Sequence, residues 1–334
     1  NVICNSAQNG LIPQLDFFDK EIANNENTAG YYIISNGDFV YNPRKSLSAP
    51  YGPVNIYKYD SDGIVSPLYL CFSVDDCINK SFLLQRFKSP CWYRYIYLNG
   101  DSGARHDRVS IKDEVFLSQP INIPNAEEQA VIAEFLEKID ERISVQNKII
   151  SDLKVLKKEL CRKMLSSITE YKTLCELCSI TTGKLDANAN TPDGLYPFFT
   201  CGKDTLSIDN YAFDGEAILI AGNGDIGHTK YYCGKFNAYQ RTYVLMNFKA
   251  DAQFIKMGID TYLPQKISEE TQGGAMPYIK LSTLTLLKIP FATEEKQLSI
   301  RNHYNAIVKK VENEMKILDL LLQQKSYFLN AMFI

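Results

Sequence analysis

The chain of 334 residues lacks several features that would reveal its class at once. It has three histidines and one tryptophan, and 36 basic residues nearly balance 39 acidic ones, for a formal net charge of −3. This balance excludes a polybasic coat protein for nucleic acid, although local basic patches can still bind DNA. No apolar run reaches the roughly 18 residues that a membrane span needs, so we expect no membrane contact.

Motifs for catalysis and cofactors are equally scarce. The sequence has no P-loop and no H-E-x-x-H pattern, so we expect neither catalytic residues nor a cofactor or metal site in this chain. Residues 222–227 match the glycine pattern of dinucleotide-binding folds, but residues 228–232 have the composition of a strand, not of the helix that such folds require. We therefore predict a glycine loop between two strands, able to bring backbone close to a ligand.

The nine cysteines are odd in number and scattered, which favours reduced thiols in a cytoplasmic protein over a disulfide framework. The first ten residues contain no apolar export signal. Cys175 and Cys178 have the spacing of half a zinc site, but no second pair matches it. We therefore predict that both are buried thiols on one face of a short helix.

An internal repeat organises the chain. Residues 121–164 and 289–332 correspond at a constant offset of 168, so that Gln129 matches Gln297 and Met164 matches Met332. Apolar residues in both copies recur at steps of three, four or seven, the a/d pattern of a coiled coil. The predicted seam consists of Ile132, Leu136, Ile139, Ile143, Ile150, Leu153, Ile300, Tyr304, Ile307, Val311, Leu318 and Leu321.

Both copies also interrupt the seam at matching positions, with Gln146 and Glu314 at one and Lys157 and Lys325 at another. Polar seam residues can set register and orientation. We therefore expect the two helices to pair as an antiparallel coiled coil about a pseudo-two-fold axis. The alternative is that each helix packs on its own globular half.

The predicted fold class is α+β, with two mixed α/β globules alternating with two long helices. The predicted domains are a first globule at 1–124, a central helix at 125–168, a second globule at 169–290 and a C-terminal helix at 291–334. The first globule is expected to be incomplete at its N-terminus, because nothing before Asn1 corresponds to residues 173–183.

All but two of the 21 tyrosines lie outside the long helices, which favours strands in the globules. Irregular sheets are expected, with strands at 31–34, 38–41, 66–74, 217–221, 230–233 and 242–248, the fifth ending at Gly234. Short helices are expected at 83–87, 174–178 and 254–263.

Polar clusters in turn-rich stretches are candidate readers of DNA, since Arg pairs with guanine edges, Asn and Gln pair with adenine edges, and Lys mostly contacts phosphate. The alternative for each cluster is a solvated loop. The candidates are Asn42, Arg44, Lys45, Tyr51, Arg105, His106, Arg108, Asn223, Asp225, Tyr239, Gln240, Arg241 and Lys280.

Residues 123–129 and the following Ile132-Ala133-Glu134-Phe135-Leu136 resemble the start of the conserved helical region in specificity subunits of type I restriction-modification systems. Ile289-Pro290 and Glu294-Glu295-Lys296-Gln297 resemble its second copy, with Lys296 where the family has Glu. Gly222-Asn223-Gly224 and residues 236–242 resemble one type of target-recognition domain.

The resemblance implies a DNA-reading subunit without catalytic activity, in which each globule reads one half of a split target and the paired helices fix the gap. It implies two methyltransferase subunits and restriction subunits as partners, with S-adenosylmethionine and ATP bound by those partners. The alternative is a coiled-coil scaffold that carries two binding modules for ligands other than DNA.

Overall fold

The computed structural model describes residues 1–17, 28–100, 107–270 and 278–333. Its contacts divide the chain into two compact units. Unit 1 comprises residues 1–147 and 316–334, and unit 2 comprises residues 148–315. Among the helices of the described residues, none is both long and apolar enough to cross a membrane.

Unit 1 contains three small antiparallel sheets, with strand orders β1-β2, β3-β6 and β5-β4-β7. The strands are β1 (Ile3–Ser6), β2 (Gly10–Pro13), β3 (Tyr32–Ile34), β4 (Phe39–Tyr41), β5 (Val54–Ile56), β6 (Gly63–Val65) and β7 (Leu70–Phe72). The helices are α1 (Gln14–Phe17), α2 (Lys80–Lys88), α3 (Tyr93–Asn99), α4 (Asp113–Leu117) and the first part of α5 (Ala126–Ser166).

Aromatic side chains form the main core of unit 1. Tyr41 stacks on Phe116 with ring centroids 4.3 Å apart, and Trp92 meets Phe87 edge-on at 5.6 Å. The Trp92 indole Nε1 donates to the Phe87 carbonyl at 3.0 Å, which satisfies the polar atom of a side chain that is 1% exposed. The aromatic core packs on the sheet β5-β4-β7, and a second cluster joins all three sheets through Ile3, Leu11, Ile34, Val40 and Val65.

Unit 2 is built on one six-stranded sheet of order β11-β10-β13-β12-β14-β9, in which only the pairing of β10 with β13 is parallel. The strands are β8 (Tyr171–Thr173), β9 (Ser179–Thr182), β10 (Tyr196–Phe199), β11 (Thr205–Ile208), β12 (Phe213–Ala221), β13 (Thr229–Ala238), β14 (Thr242–Met246) and β15 (Lys288–Pro290). The helices are α6 (Leu174–Leu177), α7 (Ala252–Glu270), α8 (Leu281–Thr285) and the first part of α9 (Glu294–Met332), with a 3₁₀ turn at Ala187–Ala189.

Strand β12 is buried on both faces from Ala217 to Ala221, which explains its unbroken apolar run. Ile218 and Ile220 belong to the cluster that includes Ile255 and Ile259 of α7, while Leu219 packs in a cluster on the other face. The central strand therefore lies between two apolar layers. The regular six-stranded sheet corrects the expectation of irregular sheets for this part of unit 2, in which β8 and β15 form a second, two-stranded sheet.

Several predicted element boundaries were wrong. The stretch 66–74 yields only β7, because residues 66–69 form a turn closed by a bond from the Tyr69 N–H to the Ser66 carbonyl at 3.0 Å. Strand β13 does not end at Gly234 but runs on to Ala238. Gly234 has φ +132° and lies opposite Gly215, so the strand continues through a backbone conformation that side chains rarely adopt.

The long helices pair in antiparallel fashion within unit 1. Phe135 of α5 meets Phe328 of α9 edge-on at 4.8 Å, and Leu136 clusters with Leu329. Asp140 contacts Lys325, so higher numbers on α5 face lower numbers on α9.

A polar cluster ties this pair of helices to α2. The Asp140 carboxylate accepts from Lys88 Nζ and from Gln85 Nε2, both at 3.0 Å, and it also bonds Lys325. Burial raises the pKa of Asp140, but the two ammonium groups and the Gln85 amide outweigh it and hold the pKa below its ordinary value. The carboxylate therefore stays charged at neutral pH.

Within unit 2 the same helices are again antiparallel. The ammonium of Lys157 lies 5.8 Å from the centre of the Tyr304 ring, and Cys161 clusters with Ile300. Every predicted seam residue is buried or half-buried, and the matched polar positions Gln146 and Glu314 are 8% and 7% exposed. The predicted α+β fold with two long helices is confirmed; α5 and α9 occupy 126–166 and 294–332, within the predicted helical segments.

The repeat conserves one buried glutamine contact in both units. In unit 1, Gln129 Oε1 accepts from the backbone N–H of Asn79, the N-cap of α2, at 2.8 Å, and its Nε2 donates to the Pro124 carbonyl at 3.0 Å. The side chain is 2% exposed. It therefore links the long helix to the start of a helix in the globule.

In unit 2, Gln297 makes the equivalent contacts. Its Oε1 accepts from the backbone N–H of Asp251, directly before α7, at 3.0 Å, and its Nε2 donates to the Ala292 carbonyl at 2.6 Å. Asn79 and Asp251 in turn cap their helices by accepting from Phe82 and Phe254, respectively. Equivalent glutamines therefore hold equivalent capped helices.

We predict that Gln129→Ala and Gln297→Ala each lower the free energy of unfolding by about 1–3 kcal/mol, because each strands a buried N–H donor. Urea unfolding measures the loss. Hydrogen exchange should show lost protection in α2 for the first variant and in α7 for the second.

The controls are Gln323→Ala and Gln265→Ala, which remove exposed glutamines bonded to Asp319 and Glu269. If Gln129→Ala and Gln297→Ala lower the free energy of unfolding no more than these controls do, the two buried glutamines do not anchor the globules.

Candidate nucleic-acid interface

The loop after β4 supplies the candidates of unit 1, and Asn42 organises it. The Asn42 Nδ2 donates to the Asn5 carbonyl, and its Oδ1 accepts from the Arg44 N–H, both at 3.0 Å. The amide is thus engaged at both ends, by Asn5 of strand β1 and by Arg44 of the loop itself. Its geometry gives Asn42 a positioning role, while base reading by Asn42 remains a prediction.

Arg44 lies directly opposite Arg108 in an isolated antiparallel bridge. The Lys45 N–H donates to the Asp107 carbonyl at 2.8 Å, and the Val109 N–H donates to the Pro43 carbonyl at 2.9 Å. These two bonds flank the arginine pair. The bridge therefore brings together two candidates that are 64 positions apart in the chain.

These residues line a hollow of about 440 Å³ on unit 1, which we call the cationic hollow. Its lining includes Asn42, Arg44, Lys45, Arg108, Gln8 and Tyr69. Arg44 and Lys45 are exposed, and Arg108 is half-buried.

Other candidates of unit 1 lie elsewhere. Tyr51 packs its ring on Tyr93 at 4.9 Å, its carbonyl accepts from the Tyr41 hydroxyl at 2.8 Å, and it does not line the cationic hollow. Arg105 and His106 lie outside the described residues.

In unit 2 the predicted glycine loop joins β12 to β13, which confirms that it lies between two strands. The Gly222 N–H donates to the Arg241 carbonyl at 3.0 Å, and the Gly222 carbonyl accepts from the Ile279 N–H at 2.7 Å. A Cβ at Gly222 would lie 2.5 Å from the Arg241 carbonyl oxygen, so only glycine permits this approach. The backbone of Gly222 therefore joins the glycine loop to the segments that contain Arg241 and Ile279.

Gln240 and Arg241 occupy the corner of a turn closed by a bond from the Thr242 N–H to the Tyr239 carbonyl at 2.8 Å. Both side chains are exposed. They line a hollow of about 290 Å³, which we call the turn hollow, together with Thr182, Gly222, Tyr243, Tyr278 and Ile279.

The remaining candidates of unit 2 surround this hollow or lie apart from it. Lys280 is exposed directly after Ile279, whereas Asn223 and Asp225 do not line the turn hollow. The Asp225 N–H instead donates to the Cys201 carbonyl at 3.2 Å, and half-buried Tyr239 donates its N–H to the Phe199 carbonyl at 2.9 Å. The structure thus brings Gln240 and Arg241 together in the turn hollow, while Lys280 follows one of its lining residues along the chain.

Sequence patterns missed Thr182 and Tyr278, which lie beside Arg241 only because of long-range pairing. Thr182 arrives through the pairing of β9 with β14, where it lies opposite Tyr243. The Tyr243 hydroxyl donates to the Ile279 carbonyl at 2.8 Å, and burial together with the Tyr278 phenol raises the pKa of Tyr243. No local motif marks either residue.

The two hollows differ in charge and in hydrogen-bonding groups. The cationic hollow gathers three cationic side chains, and Asp107 Oδ2 lies 3.8 Å from Arg44 Nε. The turn hollow presents one guanidinium, one amide and the Tyr278 phenol. Arg and Gln side chains are those that bind guanine and adenine edges in the major groove.

The thiols do not form a metal site. All nine cysteines are free, and across the described ranges no three His, Cys, Asp or Glu side chains converge as metal ligands. Cys178 is buried, but Cys175 is exposed, so the prediction that both are buried was wrong for Cys175. Helix α6 is only one turn long and turns its second residue to solvent.

We predict that Gly222→Ala lowers the free energy of unfolding by about 1–3 kcal/mol, because the new methyl group overpacks against a backbone carbonyl that cannot rotate away. Thermal or urea unfolding measures the change. Gly202→Ala is the control, since its Cβ would meet only Thr200 Oγ1, at 3.7 Å. Equal stability of the two variants would show that the approach at Gly222 is not constrained.

Comparison with known proteins places these units in a family. The model of the type I restriction modification DNA specificity domain matches the chain twice, at residues 5–155 and 168–323. The specificity subunit of the type I restriction enzyme EcoDI from Escherichia coli is 37% identical over 164 residues, which cover 48% of this chain and 36% of that protein. The aligned stretch therefore spans about a third of that relative.

A second relative aligns over more of the chain. The specificity subunit of the type I restriction enzyme MjaVIII from Methanocaldococcus jannaschii is 25% identical over 326 residues, covering 81% of this chain and 72% of that protein.

Two solved structures share the fold. The S subunit of a type I restriction-modification system from M. genitalium has a TM-score of 0.55 at 18% identity, covering 94% of this chain and 87% of that one. A chain from a study of complex assembly and conformational transition in the type I R-M system has a TM-score of 0.62 at 15% identity, covering 89% and 82%. With the family model matching both halves, the chain belongs to the type I restriction modification DNA specificity domain family and carries that domain twice.

Proposed function

We propose that the chain is the DNA sequence-specificity subunit of a type I restriction-modification complex and takes no part in catalysis itself. The observation that carries this proposal is the double match of the specificity-domain model, once in each half of the chain. Double-stranded DNA is the ligand of both halves.

Each unit reads one half of a split target. The support is that the specificity-domain model matches each half of the chain separately and that the hollows of the two units are lined by different residues. Different donor and acceptor patterns select different base edges. The target is therefore asymmetric.

The paired helices set the gap between the half-sites. In each unit α5 and α9 are antiparallel, and each unit holds its globule to a helix through a buried glutamine. An α-helix has a fixed rise of about 1.5 Å per residue, so its length is a reproducible measure of distance.

Two methyltransferase subunits and restriction subunits complete the assembly. S-adenosylmethionine and ATP are bound by those partners, and methyl transfer and cleavage take place there. Support comes from the relatives, both of which are specificity subunits of type I restriction enzymes.

The alternative function is a scaffold whose two modules bind ligands other than DNA. Specific binding to DNA by the chain in complex with its methyltransferase subunits favours the specificity subunit. A complex that shows the same weak affinity for every duplex favours the scaffold.

We predict that Arg241→Ala relaxes base selection in one half-site only, reducing discrimination there by about 5- to 100-fold, as expected for one lost bidentate contact. The measurement is competition binding with duplexes mutated in either half-site. Arg162→Ala is the matched control, because Arg162 is an exposed arginine of the same unit paired with Glu159 on α5. Equal relaxation in both half-sites would contradict the assignment of one unit to one half-site.

We also predict that inserting four residues, about one helical turn, beside Ile149 and beside Ile317 lengthens the unread spacer and leaves the recognised bases unchanged. Binding to duplexes with graded spacer lengths measures the shift in optimum. The control replaces four residues at each place without changing the length. Altered half-sites with an unaltered spacer would refute the role of the helices in spacing.

A further inference from the structure

The bridge between Arg44 and Arg108 places two like charges side by side on the surface of unit 1. The flanking bonds, from Lys45 N–H to Asp107 carbonyl and from Val109 N–H to Pro43 carbonyl, make the two arginines a non-hydrogen-bonded pair. In such a pair the Cα atoms are about 4.5 Å apart and both side chains leave the same face of the ladder. Both side chains also line the cationic hollow.

Within the part of the chain that the structure describes, neighbouring acidic groups neutralise this pair of arginines poorly. Asp107 Oδ2 lies 3.8 Å from Arg44 Nε, but the two side chains are 68% and 54% exposed, so solvent screens most of their attraction. Among the described residues, Arg108 has no ion pair. Lys45 adds a third positive charge to the same hollow. Like charges directly opposite each other weaken a ladder, so the pair does not contribute to the stability of the fold.

Two arginine side chains that leave one face of a ladder and line one hollow can bind one anion between them. A phosphate group carries a full negative charge and accepts from both forks, whereas the edge of one guanine is uncharged and is filled by a single fork. Ser46 and Ser48 line the same hollow and offer hydroxyl donors to such a group. Charge and donor geometry therefore favour the DNA backbone over a base.

We propose that Arg44 and Arg108 form one binding site for a single backbone phosphate beside the half-site that unit 1 reads. This proposal rests on the proposed function, because it names the part of the DNA that the cationic hollow takes. The pair positions the duplex and does not select bases.

The test uses the chain in complex with its methyltransferase subunits and a duplex that carries its target. Single phosphates across the first half-site and its flanks are replaced in turn by neutral methylphosphonates. With the wild-type chain, one replacement should weaken binding about tenfold, the usual loss for a hydrogen bond to a charged group. In Arg44→Ala/Arg108→Ala the same replacement should have no effect.

Salt dependence gives a second readout. Each phosphate contact contributes about 0.9 to the slope of log K against log salt. The double variant should therefore lose about 0.9 from the slope if one phosphate is shared, and about 1.8 if each arginine holds its own. Each single variant should lose nearly as much affinity as the double variant, since either loss opens the same site.

Lys112→Ala is the control, because Lys112 is exposed four residues after Arg108 and lies outside the hollow. With the Lys112→Ala variant, the same phosphate replacement should weaken binding as much as it does with the wild-type chain. Thermal unfolding of the double variant should show no loss of stability.

Three results would overturn the proposal. An unchanged salt slope with relaxed base preference would make the arginines base readers. A decrease of about 1.8 in the salt slope of the double variant would show that each arginine contacts its own phosphate. If the double variant keeps the affinity, salt slope and phosphate sensitivity of the wild type, Arg44 and Arg108 do not contact the DNA. If the wild-type complex binds no DNA sequence specifically, the proposed function itself fails and this site fails with it.

Discussion

A buried glutamine at the start of each long helix is the contact on which both halves of the molecule depend. Gln129 and Gln297 use both ends of the amide, accepting from the N–H at the start of a globule helix and donating to a carbonyl just before their own helix. A buried amide of this kind is costly to replace, because each lost bond leaves a desolvated partner. The contact fixes where each globule stands on its helix without involving the loops that line the two hollows.

Around this shared anchor the two units use different side chains. Unit 1 adds the carboxylate of Asp140 between Lys88 and Lys325, while unit 2 adds an ion pair between Asp251 and Arg301. The two hollows diverge further: one concentrates positive charge, and the other combines Gln240 and Arg241 with a phenol. The repeat therefore keeps the buried glutamine contact and changes the loops around the hollows, as the proposed reading of an asymmetric target requires.

Local sequence patterns predict the long helices, but they do not predict which residues line the two hollows. The seam follows from period alone, since every predicted seam residue is buried or half-buried. Helix α7 continues past Pro264 to Glu270, which the pattern does not predict; Ile267 packs on the core, and Glu270 accepts from Thr283 at 2.7 Å. Thr182 and Tyr278 join the turn hollow through strand pairing and one backbone bond, both long-range. Asn42 is a residue type that often binds adenine edges, yet its amide donates to the carbonyl of Asn5, which lies on a distant strand.

The most direct measurement is a genome-wide map of methylated bases in cells that carry the intact system, compared with cells from which this chain is deleted. If each unit reads one half-site, as we propose, the map contains one asymmetric motif that disappears on deletion of the chain. Its two specified parts are separated by a constant number of unspecified base pairs. A single uninterrupted motif, or a motif that persists without the chain, would contradict the assignment of one half-site to each unit.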